Sequence, residues 1–312
     1  MNYEYLKDLF SEEIREAGKI RARIKKGLPG DFYGKSSYFL EKSGKHIRPL
    51  MLFLYSKSAP VEKKTERIKM AAAVELIHTA SLIHDDIIDE APKRRSLETL
   101  HKRLGTKNSV LCGDFLTTEA LNLAVESGSF ESIRILAEET GKLIKGEILE
   151  SSGSEERLPS EKEYEKLIDL KTGSLFRASF RIAQVLNGNE NGTETASEFG
   201  DLFGRAFQIL DDIKDFSKSD SGKEIYIDLR NSVMTLPVIH YVENNGKKAE
   251  REFRRYLKEN KFSEIKTMLS KSGAFEYSKD KAKLYLEKCR AICPADIRSE
   301  FNNFISPEKI LY

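Results

Sequence analysis

Two short acidic clusters hold the residues of this chain that are best suited to chemistry. One is Asp85-Asp86-Ile87-Ile88-Asp89 and the other is Asp211-Asp212-Ile213-Lys214-Asp215. Residues four apart on a helix share one face, so the outer aspartates of each cluster would form a pair of parallel carboxylates. Carboxylate ligands without cysteine suit Mg²⁺ better than zinc. This spacing predicts Asp85, Asp89, Asp211 and Asp215 as metal ligands.

A solvated helix end is the alternative interpretation of one such cluster. This chain has two, and each follows a long apolar stretch, residues 74–83 and residues 203–210. Both clusters fall at the C-terminal ends of predicted helices, where the helix dipole disfavours anions, so helix stabilisation does not explain them. A bound cation is the natural compensation for the repulsion between neighbouring carboxylates.

Basic residues near the clusters could bind a polyanionic ligand directly. Arg94 and Arg95 follow the first cluster, and Lys45 and Arg48 lie three apart in GKHIRP at residues 44–49. The chain has 52 Lys and Arg, so any one of these residues could be ordinary surface charge. Together with two acidic clusters, they predict a site for a polyanion that metal ions also hold. Further candidates are Lys171 and Lys223.

The charge balance and the cysteines exclude several classes of protein. The 52 basic residues face 50 acidic ones, which gives no indication of a nucleic-acid or anionic-membrane partner. Three cysteines are too few for a disulfide framework and lack the neighbours of a zinc site. No apolar run has the length of a signal-peptide core or a bilayer span. We therefore expect a soluble, cytoplasmic protein without stable membrane insertion.

The elements that must position these residues are predicted to be helices. Apolar residues recur at three- and four-residue spacing, which predicts about a dozen helices and no sheet. The first is expected from Tyr3 to Lys26, ahead of a Gly-Leu-Pro-Gly break. The longest stretches, residues 62–90, 161–186 and 193–216, are candidates for the central helices. No break is rich enough in Pro or Ser to be a linker, so residues 1–312 are predicted to form a single domain.

Five motifs in order give the chain a family resemblance. They are GKHIRP at 44–49, ELIHTASLIHDDIIDEAPKRR at 75–95, GD at 113–114, KTGSLF at 171–176 and FQILDDIKD at 207–215. With them the chain resembles the trans-isoprenyl diphosphate synthase (polyprenyl synthetase) family over residues 44–237. The resemblance implies an all-α fold of the isoprenoid synthase type. In that fold an antiparallel helical bundle surrounds a deep central cavity, and the protein forms a homodimer.

The resemblance also implies an activity and a site. An allylic diphosphate would ionise with the help of three Mg²⁺ ions and condense head to tail with isopentenyl diphosphate, giving an all-trans polyprenyl diphosphate. The implied site for isopentenyl diphosphate consists of Lys45, Arg48, His78 and Arg95. The implied site for the allylic diphosphate consists of Arg94, Lys171 and Lys223. The middle residues of the two clusters, Asp86 and Asp212, are further candidate metal ligands that the resemblance implies. The implied catalytic residues are Lys171, Thr172 and Gln208, the last two stabilising the allylic cation by their dipoles.

The chain departs from the family pattern before Thr-Leu-Pro, where Ser232-Val233 replaces the usual Gly-Lys. One phosphate contact is therefore missing, and Arg230 or Lys223 could supply it. We expect an active enzyme with weaker allylic binding. One alternative is a non-catalytic subunit of the same fold. Another is a class I terpene cyclase, which needs no second diphosphate site and hence no Lys45, Arg48 or Arg95.

Two small residues, Ala80 and Ser81, lie about one turn before Asp85 on the predicted helix. In the family, a bulky aromatic at the fifth residue before the first aspartate is associated with short products. Ala80 therefore implies growth beyond this level and a product of C20 or longer. Close packing between helices is the alternative reason for small residues here.

Overall fold

The computed structural model describes residues 1–40, 44–94, 97–152, 157–217, 226–230 and 233–305, and its regular structure is almost entirely helical. The α-helices are α1 Tyr3–Leu9, α2 Ser11–Lys26, α3 Gly30–Leu40, α4 Ile47–Tyr55, α5 Lys64–Ile88, α6 Leu100–Leu104, α7 Thr106–Glu126, α8 Phe130–Ser151, α9 Glu161–Ile168, α10 Ser174–Leu186, α11 Thr193–Asp215, α12 Ile227–Arg230, α13 Leu236–Lys258, α14 Phe262–Lys271, α15 Ala274–Ile292 and α16 Arg298–Phe304. Two 3₁₀ turns, Val61–Lys63 and Glu190–Gly192, precede α5 and α11, and a π-helical turn, Asp169–Gly173, joins α9 to α10.

The structure differs from the sequence-based prediction in two local features. A minimal hairpin pairs β1, Lys93–Arg94, antiparallel with β2, Leu97–Glu98, so the expectation of no sheet is wrong at this point. The first predicted helix is two helices, because the backbone leaves the helical region at Phe10 (φ −116°, ψ 31°). Phe10 is buried against Phe53, with ring centroids 6.1 Å apart.

The centre of the core is an aromatic cluster between α10 and α11. Phe176 and Phe180 lie one turn apart on α10, and Phe199 and Phe203 lie one turn apart on α11, all fully buried. Their rings meet edge to face, with centroids 4.9 Å apart for Phe176–Phe203 and 4.8 Å for Phe180–Phe199. Burying one such ring stabilises a fold by about 1.5–3 kcal/mol. These are two of the helices predicted to be central.

A glycine sets how closely α7 approaches the end of α5. A Cβ atom at Gly113 would lie 2.2 Å from Nε2 of His84, much closer than any real contact. His84 also contacts the α7 backbone, with Nε2 3.3 Å from the carbonyl oxygen of Val110. The glycine of the GD motif therefore allows α7 to support the C-terminal end of α5, where the first aspartate cluster lies.

The π-helical turn is packed tightly between two helices, again through glycines. A Cβ at Gly146 of α8 would lie 2.8 Å from Cγ and 3.0 Å from the backbone nitrogen of Lys171. A Cβ at Gly204 of α11 would lie 2.8 Å from Cα of Gly173. Single π-helical turns are frequent at functional sites. This one places Lys171 and Thr172 between α8 and α11.

None of the helices in the described parts of the chain combines the length and the apolarity that crossing a membrane requires.

Candidate active site

The two aspartate clusters lie at the C-terminal ends of α5 and α11, as the sequence predicts. Asp89 and Asp211 are exposed, whereas Asp85 is partly buried and its Oδ1 has no hydrogen-bond partner. Burial, and next the charge of Glu147, raises the pKa of Asp85 above its ordinary value. A carboxylate oxygen that is buried and unpartnered is costly, and a cation would satisfy it.

The middle aspartate of each cluster has a different environment from the outer pair. Asp86 is 2% exposed, and its Oδ1 accepts a hydrogen bond from Nε of Arg94 at 2.6 Å. Asp212 is 3% exposed and accepts two hydrogen bonds, from Tyr164 Oη at 2.6 Å and from Gln208 Nε2 at 2.7 Å. Burial raises the pKa of Asp212 to about 7 against the effect of these donors. Protein groups therefore already satisfy both carboxylates in part.

The π-helical turn connects to the second cluster through Thr172. Its hydroxyl donates to Oε1 of Gln208 at 2.5 Å, and Gln208 in turn donates to Asp212. Thr172 and Gln208 were predicted to act together, and the structure brings them into contact. The amide of Gln208 is held at both ends, so its oxygen has a defined direction.

The same turn connects to the first cluster through Lys171. The Lys171 ammonium lies 2.8 Å from Oε2 of Glu147 and also bonds to Glu150, both on α8. Burial and the charge of Glu150 raise the pKa of Asp89, against the opposing charge of Lys171. One lysine thus lies among four carboxylates, so this side of the site has an excess of negative charge that favours cations.

The sequence motifs did not identify Glu147 or Glu150. Their signal was present as two acidic residues three apart that follow Gly146 near the end of α8. Their importance depends on the contact with Lys171, which comes from another part of the chain.

Two basic residues, Arg48 of α4 and Lys45 just before this helix, lie on the side of the second cluster. Arg48 is 8% exposed, with its guanidinium carbon 5.0 Å from the centroid of the Phe176 ring. Burial lowers the pKa of Arg48 to about 10, against the charges of Glu75 and Asp211. Lys45 is exposed, and its ammonium lies 4.8 Å from the centroid of the Tyr3 ring. Helix α4 begins only at Ile47, so Lys45 lies before the helix that carries Arg48.

Glu75 lies one turn before His78 on α5. Burial alone would raise the pKa of Glu75, but a hydrogen bond from His46 and the charges of His78, His46 and Arg21 lower it to about 2. Glu75, His46 and Arg21 were not among the predicted site residues. They lie beside Arg48 and His78, which were.

For the other predicted residues the structure gives few contacts or none. Arg95, Lys223 and Ser232 lie outside the described residues. Val233 is partly buried, and the guanidinium of Arg230 lies 5.5 Å from the centroid of the Phe262 ring. Ala80 is 2% exposed within the core, and the hydroxyl of Ser81 donates to the carbonyl oxygen of His78 at 3.0 Å.

No three His, Cys, Asp or Glu side chains converge on one point within the described ranges. A cation bound here therefore needs oxygen ligands from a substrate or from water in addition to the aspartates. Mg²⁺ typically binds in this way, through one or two carboxylates and substrate phosphates. The donor set of the two clusters fits that ion.

A helical fold with two aspartate clusters at helix ends and basic groups beside them is suited to an enzyme whose polyanionic substrate is also held by divalent metal ions. The particular family follows from sequence comparison. Residues 31–271 match the family model described as polyprenyl synthetase, and the chain belongs to that family.

Individual relatives agree with this membership. The chain is 31% identical to an octaprenyl diphosphate synthase of Haemophilus influenzae over 258 residues, which cover 80% of this chain and 78% of the relative. It is 27% identical to the octaprenyl diphosphate synthase of Escherichia coli over 304 residues, covering 93% and 92%. The fold matches a crystal structure of a polyprenyl synthase from Caulobacter crescentus with calcium and isoprenyl diphosphate, with a TM-score of 0.88, 29% identity and coverage of 96% and 94%. The predicted family, helical fold and enzyme class are confirmed.

Proposed function

We propose that this protein is a trans-prenyltransferase that extends an allylic diphosphate with isopentenyl diphosphate and releases an all-trans polyprenyl diphosphate of C20 or longer. The observation that carries the proposal is the π-helical turn between the two aspartate clusters. Lys171 of this turn contacts the carboxylates beside Asp85 and Asp89, and Thr172 is linked through Gln208 to the cluster on α11.

The outer aspartates are the proposed Mg²⁺ ligands. Asp85 and Asp89 are one turn apart at the end of α5, and Asp211 and Asp215 are one turn apart at the end of α11. Three bound Mg²⁺ ions would neutralise the diphosphate and the charge that develops on it as the C–O bond breaks. Asp86 and Asp212 contact Arg94, Gln208 and Tyr164, and we propose that they position these groups. Oδ2 of Asp86 is buried without a hydrogen-bond partner, so Asp86 stays a predicted metal ligand as well.

The allylic diphosphate binds beside Lys171 and Arg94 in this proposal. Each of these cations is paired with carboxylates of the protein, Lys171 with Glu147 and Glu150 and Arg94 with Asp86. A diphosphate therefore competes with those carboxylates, and both cations are already directed toward the first cluster. Lys223 remains a third predicted contact.

The condensation is one bond exchange followed by loss of a proton. The C–O bond of the allylic substrate breaks, and its electron pair leaves with the diphosphate. The double bond of isopentenyl diphosphate then attacks the allylic cation, and the departing diphosphate accepts the proton that the new cation loses. The oxygens of Thr172 and Gln208 stabilise positive charge by their dipoles. The rings of Phe176 and Phe207, with centroids 5.2 Å apart, exclude water from this side.

The second substrate requires a second anion site, which we assign to Lys45, Arg48, His78 and Arg95. Buried Arg48, which like His78 interacts with the charge of Glu75, distinguishes this proposal from a class I terpene cyclase, which needs only one diphosphate site. The small side chain of Ala80 below the first cluster favours a long product, and the two octaprenyl diphosphate synthase relatives agree with that direction.

We further propose that the protein is a homodimer formed through α7 and α8. Large apolar side chains are exposed at helical spacing on both helices, which a second copy would cover. They are Val110, Leu111, Leu121 and Val125 on α7, and Phe130, Ile144, Ile148 and Leu149 on α8. Light scattering coupled to size exclusion should give the mass of two chains, and Leu121→Asp should give one.

We also propose that the chain forms a single domain and that the protein is cytoplasmic. The larger of two hydrophobic core clusters includes residues from Leu6 to Ile305, and Ile213 and Met234 pack against both clusters, which favours one folding unit. The three cysteines are buried free thiols, which suits a reducing compartment.

The deciding experiment is incorporation of labelled isopentenyl diphosphate with C5 to C20 allylic primers, with Mg²⁺ or with a chelator, and products sized by chromatography. We expect Mg²⁺-dependent extension to C20 or longer. No incorporation under any condition would overturn the proposed activity and favour the non-catalytic subunit. Cyclised hydrocarbon from the primer alone would favour the terpene cyclase.

A further inference from the structure

Three elements of the chain meet at one buried carboxylate, that of Glu75 on α5. His46, in the segment before α4, has its Nδ1 2.9 Å from Oε1 of Glu75. Arg21 of α2 has its Nη1 3.0 Å from the same His46 nitrogen and 3.6 Å from Oε1 of Glu75. Arg21 is 9% exposed and Glu75 is 7% exposed. We call Arg21, His46 and Glu75 the His46 latch.

The backbone of His46 explains why such a latch is needed. His46 has φ 51° and ψ 36°, in the left-handed region that a residue with a Cβ rarely adopts. A conformation of this kind persists only where the surroundings hold it. His46 lies between Lys45 and α4. Its backbone conformation therefore sets the position of Lys45 relative to the helix that carries Arg48.

The charges around the latch favour an anion beside it. Four basic residues surround the single carboxylate of Glu75. The charges of Arg21, His46 and His78 lower the pKa of Glu75, and the charge of Glu75 opposes the lowering of the pKa of Arg48. Nε of Arg21 and Nε of Arg48 are buried without a hydrogen-bond partner. Buried cations with unused donors are costly unless an anion compensates them.

We propose that Arg21 and Glu75 are positioning residues for isopentenyl diphosphate, acting through His46 on Lys45 and Arg48. The inference rests on the proposed function and adds two residues: Arg21 of α2, which lies outside every motif, and Glu75, the first residue of the motif at 75–95, to which the resemblance assigned no role. The latch contacts the side of the site with Arg48 and His78, whereas Lys171 and Arg94 hold the allylic side. Its loss should therefore affect one substrate and spare the other.

The test compares Arg21→Met, Arg21→Lys and Glu75→Gln with the wild-type protein in steady-state kinetics with both substrates varied. We expect KM for isopentenyl diphosphate to rise about tenfold or more, since each change removes a charge that holds His46: the guanidinium paired with Glu75 in the Arg21 variant, and the carboxylate that accepts from His46 in the Glu75 variant. KM for the allylic primer should change less than about twofold on the same scale. Arg21→Lys should recover part of the loss.

A matched control is Arg67→Met, which removes another buried arginine of the same fold. Arg67 is 8% exposed and bonds to Ser56 and to the carbonyl oxygen of Phe53, near the start of α5. It should lower the melting temperature without a selective change in KM. If both KM values of the Arg21 and Glu75 variants rise together, or neither rises, the latch has no positioning role. Should Arg21→Met not fold, Arg21→Lys and Glu75→Gln decide.

Failure of the proposed function is distinguishable from failure of the latch. A wild-type protein without incorporation contradicts the function, and calorimetry with isopentenyl diphosphate then tests the latch without turnover. Weaker binding by the variants than by the wild type supports the latch. Equal binding heats in the wild type and the variants would overturn the positioning role of the latch, and so would the absence of any binding heat.

Discussion

The ammonium of Lys171 lies 2.8 Å from Oε2 of Glu147, and the same ammonium bonds to Glu150. A residue predicted to hold a diphosphate is therefore already ion-paired with α8. Lys171 lies in the π-helical turn and both glutamates lie one turn apart on the facing helix. This pairing directs Lys171 toward the first aspartate cluster before any substrate binds.

Lys171→Met should impair the allylic substrate selectively. We expect KM for the allylic primer to rise about tenfold or more, because a charged hydrogen bond is lost, with KM for isopentenyl diphosphate nearly unchanged. This is the reverse of the pattern expected for Arg21. Lys145→Met, at an exposed position of α8, is the control. An equal rise of both KM values would contradict separate sites for the two substrates.

Asp85→Asn and Asp211→Asn should each reduce kcat/KM by a factor on the order of 10² or more, since transition-state charge loses a metal ligand. Asp280→Asn removes an exposed carboxylate from α15 and should leave the activity unchanged. Initial rates across a Mg²⁺ titration measure both the loss and any shift in metal requirement. Full activity of either cluster variant would refute the metal assignment.

Gly146→Ala should destabilise the fold by about 1–3 kcal/mol through overpacking. The new Cβ would lie 3.0 Å from the backbone nitrogen of Lys171 and 3.0 Å from Cβ of Leu170, neither of which can rotate away. Gly141→Ala on the same helix meets nothing within 4 Å and should be neutral or stabilising. Urea unfolding of the three proteins gives the comparison, and equal stabilities would show that the close packing at Gly146 is unnecessary.

Tyr164→Phe should cost about 1–3 kcal/mol, because the buried carboxylate of Asp212 loses a donor. We also expect a lower kcat, since Asp212 orients Gln208 beside Thr172. Tyr256→Phe, which removes a hydroxyl bonded to partly buried Glu252, is the control. Unchanged stability and kcat in Tyr164→Phe would remove Asp212 from its positioning role.

The free energy of unfolding should fall at acid pH, because Glu75 becomes protonated. Its pKa lies at about 2 in the fold, below the ordinary value of 4.5, so the ionised form stabilises the fold above about pH 4.5. This contribution, at most about 3 kcal/mol, is lost as the pH falls from about 4.5 toward 2. Glu75→Gln should lack that component. Urea unfolding of both proteins at pH 6, 4.5 and 3 measures it, and parallel pH profiles would contradict it.

Ala80→Phe should shorten the product. Ala80 is 2% exposed below the first cluster, and a phenyl ring there would obstruct a lengthening tail. The chromatographic size of the final product measures the effect. Ala291→Phe, at an exposed position of α15, should leave the product length unchanged. An unaltered product from a folded Ala80→Phe protein would place the tail elsewhere.

Local patterns made much of this fold and site predictable. The four-residue spacing of Asp85 and Asp89, and of Asp211 and Asp215, depends only on helix periodicity, which apolar residues in the same segment report. The break at Gly27 and the central position of α10 and α11 follow from the same local signals. The division of the first helix at Phe10 does not, since it depends on where Phe53 lies in the core.

The sequence alone determined the helical class, the family and the identity of the acidic clusters, because these properties are carried by residue type and spacing within single segments. Only the tertiary structure decided which protein groups the middle aspartates contact, since their burial and the partners Arg94, Tyr164 and Gln208 come from outside the spacing pattern. It also decided that Lys171 pairs with Glu147 and that Arg21 meets His46. Electrostatic environment depends on distances between segments, and those distances exist only once the helices have packed.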